Sequence, residues 1–178
     1  MNNVMIDIET LGTEPGCVIL SIGAVEFDDN KLGQEFEINI DLESCTKAGL
    51  HIDPRTVIWW MGQSEEAREK IIRANTVPLD KALVEFVKAF DWEGKKVWCN
   101  GASFDFPILQ SAFSALGGTL PWQYWNAMDY RTLKNLIDTK TLKQIRSKII
   151  NPVKHSALDD AKEQALTTIA ILKFLRGE

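Results

Sequence analysis

The chain has 178 residues, enough for one domain with a sizeable core, and its 45% hydrophobic and 25% charged content is that of a water-soluble globular protein. That balance excludes disorder, collagen-like repeats and a disulfide scaffold; the longest apolar stretch, residues 17–25, is broken by Ser21 and Gly23 and is too short to span a membrane. A net charge of -5 gives no general attraction to a phosphate backbone, yet does not exclude one, because carboxylates gathered round divalent cations are acidic while the ions reverse the local sign. The amino terminus, MNNVMIDIET, lacks the basic start and apolar middle of a secretory signal. Cys17, Cys45 and Cys99 are odd in number and form no CxxC pair, so they read as reduced thiols of a cytoplasmic protein.

In chain order, Val4, Ile6 and Ile8 alternate with Met5, Asp7 and Glu9, the period of a strand. Residues 17–27, CVILSIGAVEF, are β-rich and apolar throughout, as in a strand buried on both faces. After the turn residues Asp28, Asp29 and Asn30, residues 35–42 alternate cleanly and predict a half-exposed antiparallel strand. Residues 43–55 read as an irregular loop. A helix is expected over 56–74, restarted at Ser64, and another from Pro78 to Phe90 with Leu79, Leu83, Phe86 and Phe90 at helical spacing. A short buried strand over 95–99 precedes a helix over 103–116, whose Pro107 falls near the first turn and whose end is marked by Gly117 and Gly118. A short strand over 126–129 and a helix over 130–137 follow. Residues 138–154 show no decisive pattern, and a last helix runs over 157–175. Without a repeat or linker, this is an α/β fold in a single domain spanning 1–178, a meander followed by alternating strands and helices.

Three segments carry chemistry. Asp7 and Glu9 are two apart on a strand and therefore project from one face; side by side they repel unless a hard cation sits between them. The plainer alternative is a solvated strand face, as for Glu35 and Glu37. In His155-Ser156-Ala157-Leu158-Asp159-Asp160, Ser156 suits the N-cap of the last helix, with His155 just outside it and Asp160 on its first turn. A neutral histidine beside a metal can accept a proton from water; helix capping alone also explains the serine and Asp159. Asn100-Gly101-Ala102-Ser103-Phe104-Asp105 puts Asp105 at a strand-to-helix junction, where α/β folds collect ligands, although for this segment alone a capping role for Ser103 or Asp105 is the favoured reading.

Taken together, D-x-E, N-x-x-x-F-D and H-x-x-x-x-D in this order resemble the DEDD (DnaQ-like) superfamily of 3′–5′ exonucleases, in its histidine subclass, DEDDh. DIETLGT, SIGAVEF and HSALDDA carry the likeness, and TVIWWMGQSEEAR is similar to the phage-type, DexA-like branch that includes a bacterial 3′–5′ exoribonuclease. The resemblance implies a ribonuclease H-like fold with a central five-stranded mixed sheet flanked by helices. It implies two divalent cations, Mg²⁺ or Mn²⁺, held by Asp7, Glu9, Asp105 and Asp160, with His155 as general base, acting on single-stranded nucleic acid with a free 3′ end and releasing nucleoside 5′-monophosphates. It also implies that Thr10 and Leu11 contact the terminal nucleotide, and a homodimer is among the assemblies it allows. Phe104 either stacks on a base or sugar or anchors its helix. Trp59 and Trp60 cannot both face one way on a helix, so at least one belongs to the core or an interface. Trp122, Tyr124 and Trp125 stay open between stacking and packing, and His51 reads as an ordinary loop histidine. Two rivals remain: a hydrolase of very short oligonucleotides, and a non-catalytic nucleic-acid-binding domain on the same fold.

Overall fold

The computed structural model describes residues 1–72, 75–149 and 155–178. Its centre is a mixed sheet in the order β4-β3-β2-β1-β5-β6. The strands β1 (Asn3–Thr10), β2 (Ile19–Phe27) and β3 (Leu32–Ile40) form the antiparallel meander. β5 (Lys96–Cys99) and β6 (Ala127–Asp129) add parallel strands on the other side of β1. Every residue of β2 except Glu26 is buried, as its unbroken apolar run requires.

The sheet holds six strands, not the five expected. The extra one, β4 (Thr76–Val77), pairs in parallel with the end of β3, and two residues before Pro78 are too few to show a period. Three helical expectations are also revised. Residues 43–55 are not all loop, because the Asp41 side chain accepts from the Ser44 N–H and caps α1 (Leu42–Lys47); Leu42 therefore starts a helix instead of ending a strand. The helix expected over 56–74 begins earlier and is divided. Asp53 caps α2 (Pro54–Met61), which closes at Gly62, and the Ser64 hydroxyl accepts from the Ala67 N–H as α3 (Glu65–Ile72) starts. The segment without a decisive pattern contains α7 (Thr139–Arg146), capped by Asp138; Pro152 lies outside the described residues. The remaining helices are α4 (Leu79–Lys88), α5 (Asp105–Ala115), α6 (Tyr130–Lys134) and α8 (Ala157–Arg176).

Alternation in β1 divides the molecule into two layers. Val4, Ile6 and Ile8 face a core containing Leu83 and Phe86 of α4 and Ile108 and Leu109 of α5. Met5 faces the other, built from Ala161, Ala165, Ile169 and Ile171 of α8 with Tyr130 and Leu133 of α6. Such fully buried aliphatic side chains contribute about 1.5–3 kcal/mol each by leaving water. Asp7 and Glu9 continue the Met5 face and so end up beneath the start of α8. Among the described residues no helix is long and apolar enough to cross a membrane.

Candidate active site

β1 delivers the first two carboxylates. A register shift at Glu9/Thr10 interrupts its pairing with β2, a distortion that re-aims side chains at a strand end. Opposite Asp7 in register is Gly23 of β2, and a Cβ there would overlap the backbone of Ala157 and Leu158. The missing side chain therefore lets the first turn of α8 rest directly on the sheet, which carries Asp160 to Asp7 and Glu9.

The entry to α8 differs from the expected cap. Ser156 occupies the N-cap position, but its hydroxyl makes no cap bond. It accepts instead from Lys70 Nζ (2.7 Å), and the same ammonium donates to Asp159 Oδ2 (2.6 Å), tying α3 to α8. His155 has φ 60°, in the left-handed region that a non-glycine residue occupies at a cost. It is held there by its N–H donating to Asp160 Oδ2 (3.0 Å) and by two edge-on ring contacts, to Trp59 at 5.1 Å and Trp60 at 6.1 Å. Ligand atoms of Glu9, His155 and Asp160 all fall within 4.8 Å of one another, a set that can hold a metal ion.

Asp105 opens α5 just beyond the end of β5 and is 3% exposed. Its carboxyl is pushed up to about 7 by burial, against the hydrogen bonds of its own backbone, Cys99 and the Ile8 backbone. Glu9 is pushed up to about 8 by burial and then by Asp160 and Asp105. Asp7 is raised well above the carboxylate range by burial and then by Asp105, Glu9 and Asp160. Asp7 and Glu9 are held in their acid forms by burial and by neighbouring acids, beside a Glu9, His155 and Asp160 set whose ligand atoms converge; a hard divalent cation satisfies such a group, so the residues present fit one.

One contributor was not anticipated. Gln164 Nε2 donates to Asp7 Oδ1 (2.7 Å), orienting that carboxylate and favouring its charged form. The signal was available, since Gln164 stands four residues after Asp160 and so on the same helix face.

Beside the carboxylates lies a cleft of about 480 Å³ whose lining includes Thr10, Arg55, Trp59, Trp60 and Phe104. Thr10 is fixed rather than free: its hydroxyl donates to the Gly12 carbonyl (2.7 Å), and its own carbonyl accepts from Trp60 Nε1 (2.8 Å). Leu11 packs partly buried against the core and does not line this cleft. Phe104 does both things weighed for it, lining the cleft and packing on the core. The tryptophans divide as helix geometry demands, Trp60 being buried (7% exposed) and Trp59 47% exposed. Trp122 is core, and Tyr124 and Trp125 are exposed. His51 has an exposed side chain and serves through its backbone, its carbonyl accepting from the Val18 N–H.

The chain is similar to known nucleases. The 3′–5′ exoribonuclease Rv2179c-like domain family matches residues 2–172. The exodeoxyribonuclease of Enterobacteria phage T4 is 25% identical, over 99% of this chain and 92% of its own. In fold, the chain is similar to exonuclease X in complex with 5′ overhanging duplex DNA (TM-score 0.62, 18% identity, 98% of this chain and 93% of that one). It is similar also to the nuclease domain of 3′hExo, a DEDDh family member bound to rAMP (TM-score 0.56, 14% identity, 98% and 92%). Matched over residues 2–172, the chain belongs to the Rv2179c-like family of 3′–5′ exoribonuclease domains.

Proposed function

We propose that this protein removes nucleoside 5′-monophosphates from the 3′ end of single-stranded nucleic acid, with Asp7, Glu9, Asp105 and Asp160 holding two divalent cations, Mg²⁺ or Mn²⁺, and His155 acting as general base. The observation that carries this reading is the convergence of ligand atoms of Glu9, His155 and Asp160 within 4.8 Å, backed by half-buried Asp7 and buried Asp105 and open to a cleft on one side. Bound there, divalent cations supply charge neutralisation for the phosphodiester and acidify the attacking water.

The chain's own residues do the rest. His155 takes the proton of the attacking water, and its ring is aimed by the edges of Trp59 and Trp60. The Asp160 carboxylate accepts from the backbone N–H of His155, which ties the base to a cation ligand. Gln164 orients Asp7 and favours its charged form. The cleft takes the terminal nucleotide: Thr10 shapes its floor, Phe104 lines its wall, and half-exposed Trp59 offers a face to the base. Leu11 acts from behind, supporting the turn that carries Thr10, since it packs on the core.

The test uses 5′-labelled single strands of DNA and RNA of one sequence with Mg²⁺, Mn²⁺ or EDTA, resolved on a gel. A metal-dependent ladder that shortens from the 3′ end is expected, and the faster sugar names the substrate. Loss of only the shortest fragments transfers the reading to a hydrolase of very short oligonucleotides. Strand binding without any cleavage transfers it to a non-catalytic binding domain.

A further inference from the structure

The acidic total conceals a local reversal. Residues 130–149 carry six cations and a single carboxylate, Asp138, a net of +5 in a chain whose sum is -5. That one acid is consumed in capping α7, its oxygens accepting from the N–H groups of Lys140 and Thr141 and from the Thr141 hydroxyl. Leu142 and Ile145 turn the apolar side of α7 against the core beneath α8. Exposed Lys140 and Lys143, at i and i+3, point away from it and line a shallow groove with Thr139, Gln144 and Ser147.

This basic face begins at the carboxylates. Arg131 Nη2 donates to the Asn100 carbonyl (2.8 Å), and the guanidinium lies so close over Gly101 that a Cβ there would come within 2.9 Å of it. Lys134 Nζ donates to Asn100 Oδ1 (3.0 Å) and sits 4.4 Å above the Tyr130 ring. Asn100 and Gly101 open the loop that ends at Asp105, and the Arg131 charge is felt by that carboxyl. Arg146, next along α7, is paired with Glu163 (2.8 Å) one turn beyond Asp160. The cleft for the terminal nucleotide is lined by β1 and α2, whereas Arg131 and Lys134 follow directly on β6, the outermost strand on the other side of β1, and Arg146 of α7, which packs with α8, is near enough to Lys134 for its charge to be felt there.

Fold stability does not explain the arrangement. Among the described residues, Arg131, Lys134, Lys140 and Lys143 have no carboxylate within ion-pair distance. Lys134 is partly buried, and burial together with Arg146 and Arg131 holds its ammonium below the usual value. Lysines in the last turn of α7 complement the helix dipole, but Lys140 is in the first turn, where a cation opposes it. Like charges at i and i+3 also weaken an isolated helix. A polyanion laid along the row relieves each of these costs.

We propose that Arg131, Lys134, Lys140 and Lys143 form a ledge that tracks the phosphates of the substrate strand on the 5′ side of the scissile bond. The proposal rests on the exonuclease reading for its substrate, and α7, about 12 Å long, extends the contact beyond the terminal nucleotide.

The test is the anisotropy of a 5′-fluorescein 20-mer single strand titrated with protein in EDTA, between 50 mM and 300 mM salt. Each phosphate neutralised on a single strand contributes about 0.7 to the slope of log affinity against log salt. The K140Q/K143Q variant is therefore expected to lose about 1.4 of that slope and at least tenfold in affinity at 50 mM salt. K81Q/K88Q, on α4 across the sheet, removes the same charge and is expected to bind as the unaltered protein does. An unchanged slope in K140Q/K143Q, an equal loss in K81Q/K88Q, or no binding by the unaltered protein would each overturn the ledge. Shortening of the same 5′-labelled 20-mer by the unaltered protein with Mn²⁺ reports on the exonuclease reading separately. Binding with the expected salt signature but no hydrolysis would sink that reading and leave the ledge standing.

Discussion

The place proposed for Glu9 in the chemistry comes at the expense of the fold. It is 8% exposed and its acid form is favoured up to about pH 8 by burial, Asp160 and Asp105. Glu9→Gln keeps the shape and removes the charge, so hydrolysis is expected to fall by three orders of magnitude or more, while the metal-free protein at pH 8 melts at a higher temperature than the unaltered one. Parallel activity and thermal-denaturation measurements check both directions, and near-normal turnover would remove Glu9 from the site. Gln164 stands one step back from the proposed cation site, on Asp7. Gln164→Leu takes away the donor to Asp7 Oδ1 and is expected to weaken Mn²⁺ binding about 10- to 100-fold, the usual cost of losing a partner of a ligand. Calorimetric titration with Mn²⁺ reads that effect directly.

Among the elements, α8 has the most demanding placement. Ala161 and Ala165 are fully buried on its sheet side, and beneath its first turn β2 supplies only Gly23. Gly23→Ala would thrust a methyl into backbone atoms of Ala157 and Leu158, which cannot rotate away as a side chain would. A loss of about 1–3 kcal/mol is expected in urea unfolding. Activity should drop further than stability, because the displaced turn carries His155 and Asp160. A variant with wild-type stability and turnover would show that α8 does not depend on this contact. The clamp from Lys70 to Ser156 and Asp159 serves the same turn from the α3 side, replacing the side-chain cap that the helix lacks.

For the whole molecule, the raised acids couple stability to pH and to metal. A carboxyl whose folded pKa exceeds its unfolded one binds more protons when folded, so its contribution is full at low pH and is lost as pH rises. For Glu9 the window runs from the ordinary value of 4.5 to about 8. Asp105, raised from 3.8 to about 7, acts in the same sense. The melting temperature of the metal-free protein is therefore expected to fall steadily between pH 5 and pH 8. Mn²⁺ at about 100 times its Kd adds roughly 2.7 kcal/mol, worth about 5–10 °C for a chain of this size, and the gain should be larger at pH 8 than at pH 5. Scanning calorimetry with Mn²⁺ or EDTA at both pH values checks the sign, and a metal-free protein that grows more stable toward pH 8 would contradict the buried-acid arrangement.

Much of this was legible in the chain because it is local. The alternation in β1 put Asp7 and Glu9 on one face, the apolar run announced a buried β2, and the spacing from His155 to Asp160 placed both at the start of a helix. The short pieces were not legible: β4 has too few residues for a period, and α1 depends on one capping carboxylate, Asp41. Nor does local pattern say what a serine beside a helix start will bond, and Ser156 was taken by a lysine 86 positions away. By itself the sequence determined the donor types, their order and the face each would occupy, since these follow from strand and helix periodicity. Only the tertiary structure decided that the faces meet. It let α8 down onto Gly23, withdrew Asp7, Glu9 and Asp105 from water, brought Gln164 to Asp7, and set Arg131 near enough to Asp105 for its charge to be felt there. Those outcomes depend on distances between segments far apart in the chain, and close packing settles them where no local pattern can.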